Sequence, residues 1–165
     1  MTAAVRIAVA GAAGKMGQAL IEAVLADRES ALAAAIDVAG SPAAGRDAGE
    51  RCGRATGVLV GTDVDAAVRA ADVLIDFTRP AGTLAHVAAC AAAGVAAVIG
   101  TTGFDDAGKA TLRAAGERIA LVVAPNMSIG VNVVLRLIEV AARALDAGFD
   151  VEVIEAVRER SAGEG

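Results

Sequence analysis

The segment at residues 11–17 reads GAAGKMG and lies between an apolar β-type run and an Ala-rich helical run. Glycines at such a point allow a tight turn, close approach of the backbone to a pyrophosphate and packing of the helix against the sheet. The spacing is GxxGxxG, with Ala13 where the second glycine of GxGxxG would stand. The turn predicts a dinucleotide site, and a purely structural glycine turn is the alternative.

An acidic residue stands where such a site needs one. Asp37 lies 20 residues beyond Gly17, at the end of the second apolar run, where a carboxylate can accept hydrogen bonds from a ribose diol. A turn or cap residue is the alternative interpretation. Because Val38 follows, where an arginine would suit a 2′-phosphate, the sequence predicts NADH as the preferred cofactor over NADPH.

Three further loops follow apolar runs, at residues 76–80 (DFTRP), 100–104 (GTTGF) and 124–128 (APNMS). Ligands of open α/β folds bind outside the carboxyl ends of the strands. Backbone amides, threonine hydroxyls and an asparagine amide in these loops are suited to orient a carboxamide and a ribose. Each loop taken alone also fits a capping role.

Alternating strand and helix patterns must position these loops. Apolar runs at 5–10, 32–37, 58–60, 73–76, 95–99 and 119–124 alternate with helical patterns that include 15–27, 80–93 and 105–115. This order predicts an α/β fold, a Rossmann-like doubly wound parallel sheet with right-handed crossovers. An amphipathic helix at 131–147, capped by Ser128, and a strand at 150–155 follow. Residues 39–57 read as a loop without an assigned role.

Composition excludes several classes of function. The 165 residues carry a net charge of -5, and only 2% are aromatic, so neither a basic footprint nor a stacking platform for nucleic acid is expected. The uncharged stretch 83–104 is broken by glycines, which argues against a membrane span. Two separated cysteines and the single His86 predict no metal site and a reducing, cytoplasmic location.

The ordered motifs GAAGKMG, IDFTRP, VIGTTGF and APNMSIGVN closely resemble those of the dihydrodipicolinate reductase family, over residues 5–155. The resemblance implies an NAD(P)H-dependent oxidoreductase of lysine and diaminopimelate biosynthesis, which reduces a cyclic dihydrodipicolinate-type dicarboxylate to tetrahydrodipicolinate. It implies a dinucleotide-binding domain, a second α/β domain for substrate binding, and a homotetramer.

The resemblance also assigns residues to the cofactor. Asp37 would bind the adenine ribose. The residues that would hold the pyrophosphate are Gly11, Ala12, Ala13, Gly14, Lys15 and Met16. Those that would lie along the nicotinamide end are Gly100, Thr101, Thr102, Ala124, Pro125, Asn126 and Met127.

The sequence departs from the family near its end. The family's His-His-x-x-Lys motif and Pro-Ser-Gly-Thr loop supply the proton and bind the substrate carboxylates, but the family's histidine and lysine positions are Val157 and Ser161 here. No catalytic residue is therefore predicted. We expect a dinucleotide-binding domain at 1–127 and an incomplete substrate and oligomerisation domain at 128–165, so that a tetramer is doubtful for this chain. A binding module without catalysis and an unrelated CoA- or methyl-donor-binding domain are the alternatives.

Overall fold

The computed structural model describes residues 3–145 and the single residues 149, 152 and 154. Within these residues, strands and helices alternate as the sequence predicts. The strands are β1 (Val5–Ala10), β2 (Ser30–Ile36), β3 (Val60–Gly61), β4 (Val73–Asp76), β5 (Ala96–Ile99) and β6 (Leu121–Val123). The helices are α1 (Lys15–Ala26), α2 (Val64–Ala70), α3 (Pro80–Ala93), α4 (Asp106–Gly116) and α5 (Ile129–Ala144).

The six strands form one parallel sheet in the order β3-β2-β1-β4-β5-β6. This order confirms the predicted Rossmann-like fold, and its reversal point lies between β1 and β4. The strands also end in register: Ala10 pairs with Ile36 and with Asp76, and Asp76 pairs with Ile99. The loops that follow these strands therefore meet at one edge of the sheet.

Local sequence signals account for the helix ends. Pro80 opens α3, and Gly94, with φ of +71°, closes it in the left-handed region. The Asp105 carboxylate caps α4 by accepting a hydrogen bond from the Gly108 amide, 2.7 Å away. The bounds of β1, β4 and α3 match the predicted ones, and the other bounds differ by at most three residues, because pattern alone does not fix where a terminal turn frays.

Each face of the sheet packs against its own set of helices. On one face, buried Ala8, Leu74 and Ile99 pack with residues of α2, α3 and α4. On the other face, buried Val9 and Ala35 pack with Ile21 of α1. Small and aliphatic side chains thus build both halves of the core without tryptophan or tyrosine.

Residues 39–57, which we call the excursion, leave the sheet after β2 and return to it at β3. Its centre is Asp47, whose carboxylate accepts hydrogen bonds from the Gly49 and Gly57 amides and from the amide and hydroxyl of Thr56. The Thr56 hydroxyl bond leads the causes that lower the Asp47 pKa to about 2, against a smaller opposing effect of burial. The excursion is therefore an ordered loop, and it includes a short 3₁₀ turn at Glu50–Cys52.

The chain divides into two compact units, residues 1–125 and 126–165. In the second unit, the Ser128 hydroxyl caps α5 by accepting a hydrogen bond from the Val131 amide, which confirms the predicted cap. The predicted strand 150–155 and the positions Val157 and Ser161 fall largely or wholly outside the described residues. None of the helices in the described part has the length and apolarity needed to cross a membrane.

Candidate functional site

The turn between β1 and α1 is held against the neighbouring strand. The Gly11 and Ala12 amides both donate to the Ile36 carbonyl, at 2.9 and 3.0 Å. Gly11 has φ of +74°, a conformation that favours glycine. A Cβ at Gly11 would also lie 2.9 Å from the Thr78 methyl group. Gly14 is the N-cap of α1, so the turn leads into a helix start, where free amides suit an anionic group.

Asp37 is tied directly to this turn. One carboxylate oxygen accepts a hydrogen bond of 2.6 Å from the Ala13 amide, and the other accepts one of 2.7 Å from the Val38 amide. The side chain is half-buried. A carboxylate held in this way keeps further lone pairs available for a ligand's hydroxyl groups, and it also fixes the position of the turn.

A cleft of about 800 Å³ opens at the reversal point of the sheet. The glycine turn and Asp37 border it on one side, and the segment after β4 together with the start of α3 borders it on the other. The residues that define these two sides are Gly11, Ala13, Gly14, Asp37, Phe77, Thr78, Arg79, Gly82 and His86.

A polar network lies beneath this cleft, centred on Asp76 at the end of β4. Asp76 is fully buried. One of its oxygens accepts bonds of 2.7 Å from both the amide and the hydroxyl of Thr78, and the other lies 2.7 Å from Nδ1 of His86. The Thr83 hydroxyl donates to that of Thr101, 2.8 Å away, and Thr101 reaches Asp76 at 3.4 Å. The network therefore joins the end of β4, the first turns of α3 and the loop after β5.

Opposing effects set the pKa of Asp76. Burial favours the neutral acid and raises the pKa, and it is the largest single effect. The hydrogen bonds from His86 and Thr78 favour the carboxylate and together outweigh it, so the pKa lies below its ordinary value. Asp76 is therefore a buried, fully bonded carboxylate.

The neighbouring thiol of Cys90 is shielded. Burial, and secondarily the charge of Asp76, raise its pKa to about 11, so about one thiol in a thousand is ionised at pH 8. We expect iodoacetamide at that pH to alkylate the half-buried Cys52 in the folded protein and to modify Cys90 only after unfolding in denaturant. Peptide mass spectrometry over time measures both rates, and equal rates in the folded state would contradict the expectation.

The structure brings some of the predicted site residues together at the cleft. Gly11, Ala13, Gly14 and Asp37 line it. Ala12 is fully buried beneath the turn. Lys15 and Met16 are exposed in the first turn of α1, outside the set that lines the cleft.

The remaining predicted residues have other surroundings. Thr101 turns its hydroxyl into the buried network, while Thr102 beside it is exposed. A Cβ at Gly100 would lie 1.8 Å from the Phe77 ring, so glycine is needed there for packing. The Ala124 amide donates to the Ile99 carbonyl, and Pro125 ends the first unit. In the second unit, the Asn126 side chain accepts a bond from the Ser128 amide, and Met127 is 40% exposed.

The sequence alone did not identify His86 and Gly82 as residues of the cleft. Gly82 lies in the first turn of α3 and His86 in the second, after the 76–80 loop. Their signal is the i, i+4 spacing from Gly82 to His86, which places both on one face of α3. Within the described residues, no cluster of three or more His, Cys, Asp or Glu side chains suits a metal ion.

Comparison with known proteins identifies similar chains. The family model described as "Dihydrodipicolinate reductase, N-terminus" matches residues 5–127. A protein named 4-hydroxy-tetrahydrodipicolinate reductase from Cupriavidus necator is 59% identical over 150 residues, which are 91% of this chain and 57% of the relative. One of the same name from Aromatoleum aromaticum is 58% identical over 151 residues, 92% of this chain and 55% of the relative.

A solved structure with the same family name is also similar to this chain. It is the dipicolinate-bound dihydrodipicolinate reductase from Paenisporosarcina, with a TM-score of 0.68 and 25% identity over 88% of this chain and 62% of that one. The present chain thus spans little more than half the length of the curated relatives that it matches.

Proposed function

Because the chain belongs to the dihydrodipicolinate reductase family, we propose that it forms the cofactor-binding part of an NAD(P)H-dependent reductase of lysine and diaminopimelate biosynthesis. The reaction is reduction of a cyclic dihydrodipicolinate-type dicarboxylate to tetrahydrodipicolinate. The observation that carries this proposal is the hydrogen bond between Asp37 and the Ala13 amide. It joins a ribose-binding carboxylate to a phosphate-binding turn at the reversal point of the sheet.

The family binds nicotinamide dinucleotides, and the residues of this chain fit such a group. Glycine at positions 11 and 14 keeps side chains away from the start of α1. The Gly14 amide donates to the Gly11 carbonyl within the turn, 2.9 Å away. The amides of Lys15 and Met16, in the first turn of α1, would therefore hold the pyrophosphate. The Asp37 carboxylate would accept hydrogen bonds from the hydroxyls of the adenine ribose.

The nicotinamide end would lie toward the carboxyl ends of β4 and β5. The bound dihydronicotinamide supplies a hydride. The protein's own contribution there is to orient the nicotinamide and to exclude water, through backbone groups of Gly100, Thr101 and Thr102 and of Ala124 and Pro125. The Asp76 network supports this loop from beneath through the Thr101 hydroxyl.

We propose that NADH is preferred over NADPH. The two oxygens of Asp37 are fixed by backbone amides, so the carboxylate cannot easily turn away from a 2′-phosphate, which it would repel. The neighbouring Val38 is 73% exposed and offers no positive charge. A dicarboxylate substrate, a cytoplasmic location and a family homotetramer belong to the same proposal.

A dinucleotide-binding module without catalysis is the second candidate. It is favoured by the residues at the family's histidine and lysine positions, Val157 and Ser161, which can neither donate a proton in the same way nor supply an ammonium group. Both candidates require NADH binding. Only the first requires that the chain oxidise NADH when the cyclic substrate is added.

The Asp37→Ala variant tests the shared requirement. Loss of charge-assisted hydrogen bonds costs about 1.5–3 kcal/mol, so we expect the Kd for NADH, measured by dihydronicotinamide fluorescence, to rise about tenfold to a hundredfold. Asp106→Ala is the matched control, because it removes the same charge from a fully exposed side chain on α4. Equal affinities of wild type and Asp37→Ala would contradict the proposed role of Asp37.

A further inference from the structure

The excursion places an arginine beside the Ala13 carbonyl of the glycine turn. Arg51 lies in the 3₁₀ turn of the excursion, and its Nη1 donates a hydrogen bond of 2.9 Å to the Ala13 carbonyl. The amide of the same Ala13 donates to Asp37 at 2.6 Å. One residue of the turn is thus held by a carboxylate through its N–H and by a guanidinium through its C=O.

A second, smaller cavity of about 260 Å³ lies on the side of Ala13 where Arg51 approaches. Ala13 lines both this cavity and the larger cleft. The small cavity is therefore adjacent to the place where Asp37 would bind the ribose. The residues around it include Gln18, Pro42, Arg46, Asp47, Glu50 and Arg51.

Arg51 differs from the other charged residues around the small cavity in how its side chain is paired. Arg46 is paired with Glu50 through two hydrogen bonds, of 2.8 and 2.5 Å. The Asp47 carboxylate is occupied by the amides and hydroxyl of the excursion. Among the ion pairs of the described residues, none includes Arg51. Its guanidinium therefore has donors left for an anion.

We propose that Arg51 determines cofactor specificity, by binding the 2′-phosphate of NADPH in the small cavity beside Ala13. The inference rests on the proposed function and deepens it. Asp37 disfavours the 2′-phosphate, and Arg51 offsets part of that repulsion, so that NADPH binds more weakly than NADH but is not excluded. The positive charge comes from the excursion, at position 51, rather than from position 38 directly after Asp37.

The test compares Arg51→Gln with Arg54→Gln. Arg54 is a matched control because it is also exposed on the excursion and also donates Nη1 to a backbone carbonyl, that of Leu25, at 2.8 Å near the other end of α1. We expect Arg51→Gln to raise the Kd for NADPH about tenfold, the loss of one charge-assisted contact, and to change the Kd for NADH less than twofold. Arg54→Gln should leave the ratio of the two constants unchanged.

Two further measurements separate a specific contact from other causes. Arg51→Lys should recover part of the NADPH affinity, because lysine restores the positive charge but not the planar, multiple-donor geometry of the guanidinium. The NADPH effect of Arg51→Gln should shrink at high ionic strength, where exposed charges are screened.

The changes in NADH and NADPH affinity distinguish a specific contact from other effects of the substitution. Equal loss of NADH and NADPH affinity in Arg51→Gln would show that Arg51 only supports the turn, and an equal shift in Arg54→Gln would show a general charge effect. Either result overturns the inference while leaving the proposed function intact. A wild-type chain that binds neither cofactor overturns both.

Discussion

Replacing Gly17 with alanine should destabilise the folded protein by about 2–4 kcal/mol, because the added methyl group has no space. A Cβ at Gly17 would lie 2.1 Å from the Gly11 carbonyl oxygen and 2.8 Å from the Gly11 carbonyl carbon. Both are backbone atoms of the tight turn, so relief requires α1 to move away from β1. The gain in helix propensity from glycine to alanine, about 1 kcal/mol, is smaller than this cost.

Urea unfolding followed by circular dichroism measures the loss, and Gly116→Ala is the matched control. Gly116 is also helical, and a Cβ there would meet only the Leu121 side chain, at 3.9 Å, which is ordinary contact. This control should be unchanged or more stable by up to about 1 kcal/mol. An equally mild effect at Gly17 would mean that the turn is not the rigid element described above. NADH affinity should fall with stability at Gly17, since the helix start moves.

Much of this arrangement follows from sequence because strands and turns are specified locally. Apolar runs placed the strand ends within a few residues, and parallel strands in register bring Gly11, Asp37 and Gly100 to one edge whatever the side chains do. Pro80 and Gly94, residues typical of a helix start and a helix end, fixed the bounds of α3 in the same way. The position of the cleft was therefore predictable from the sequence.

The contacts within the cleft were less predictable. Thr101 looks like a ligand-facing residue in the GTTG loop, but its hydroxyl turns inward to Thr83 and Asp76. Side-chain direction after a strand end has no period that a sequence pattern can reveal. The bond from Arg51 to the Ala13 carbonyl spans 38 residues, and it depends on the fold of an excursion in which no repeating pattern occurs.

Replacing Asp76 with asparagine tests whether the buried network stabilises the edge of the cleft. Three donors are directed at this carboxylate: the amide and hydroxyl of Thr78, and His86. An asparagine keeps one acceptor oxygen and puts an NH₂ group where the other oxygen was, so the network loses its negative charge and His86 must change tautomer to accept from that group. Breaking a buried, charge-assisted network of this kind should cost about 2–4 kcal/mol of unfolding free energy at pH 7.

The pH dependence of this loss identifies the carboxylate as its source. The pKa of Asp76 is below its ordinary value in the folded protein, so its stabilising contribution is complete above the unfolded pKa of about 3.9. That contribution disappears as the pH falls through the lower folded value. The difference in stability between wild type and Asp76→Asn should therefore be constant above about pH 5 and narrow below about pH 4.

Urea unfolding at a series of pH values gives this difference directly, and other carboxylates cancel because both proteins contain them. Asp72→Asn is the control at the residue just before β4: its side chain is 45% exposed and pairs with Arg6 at the surface, where water compensates most of a lost ion pair. A loss at Asp76 that is no larger than the loss at Asp72, or that does not change with pH, would rule out the network as a support of the cleft. A large, pH-dependent loss would instead show that the buried charge of Asp76, which the Thr101 hydroxyl contacts, stabilises the fold beneath the cleft.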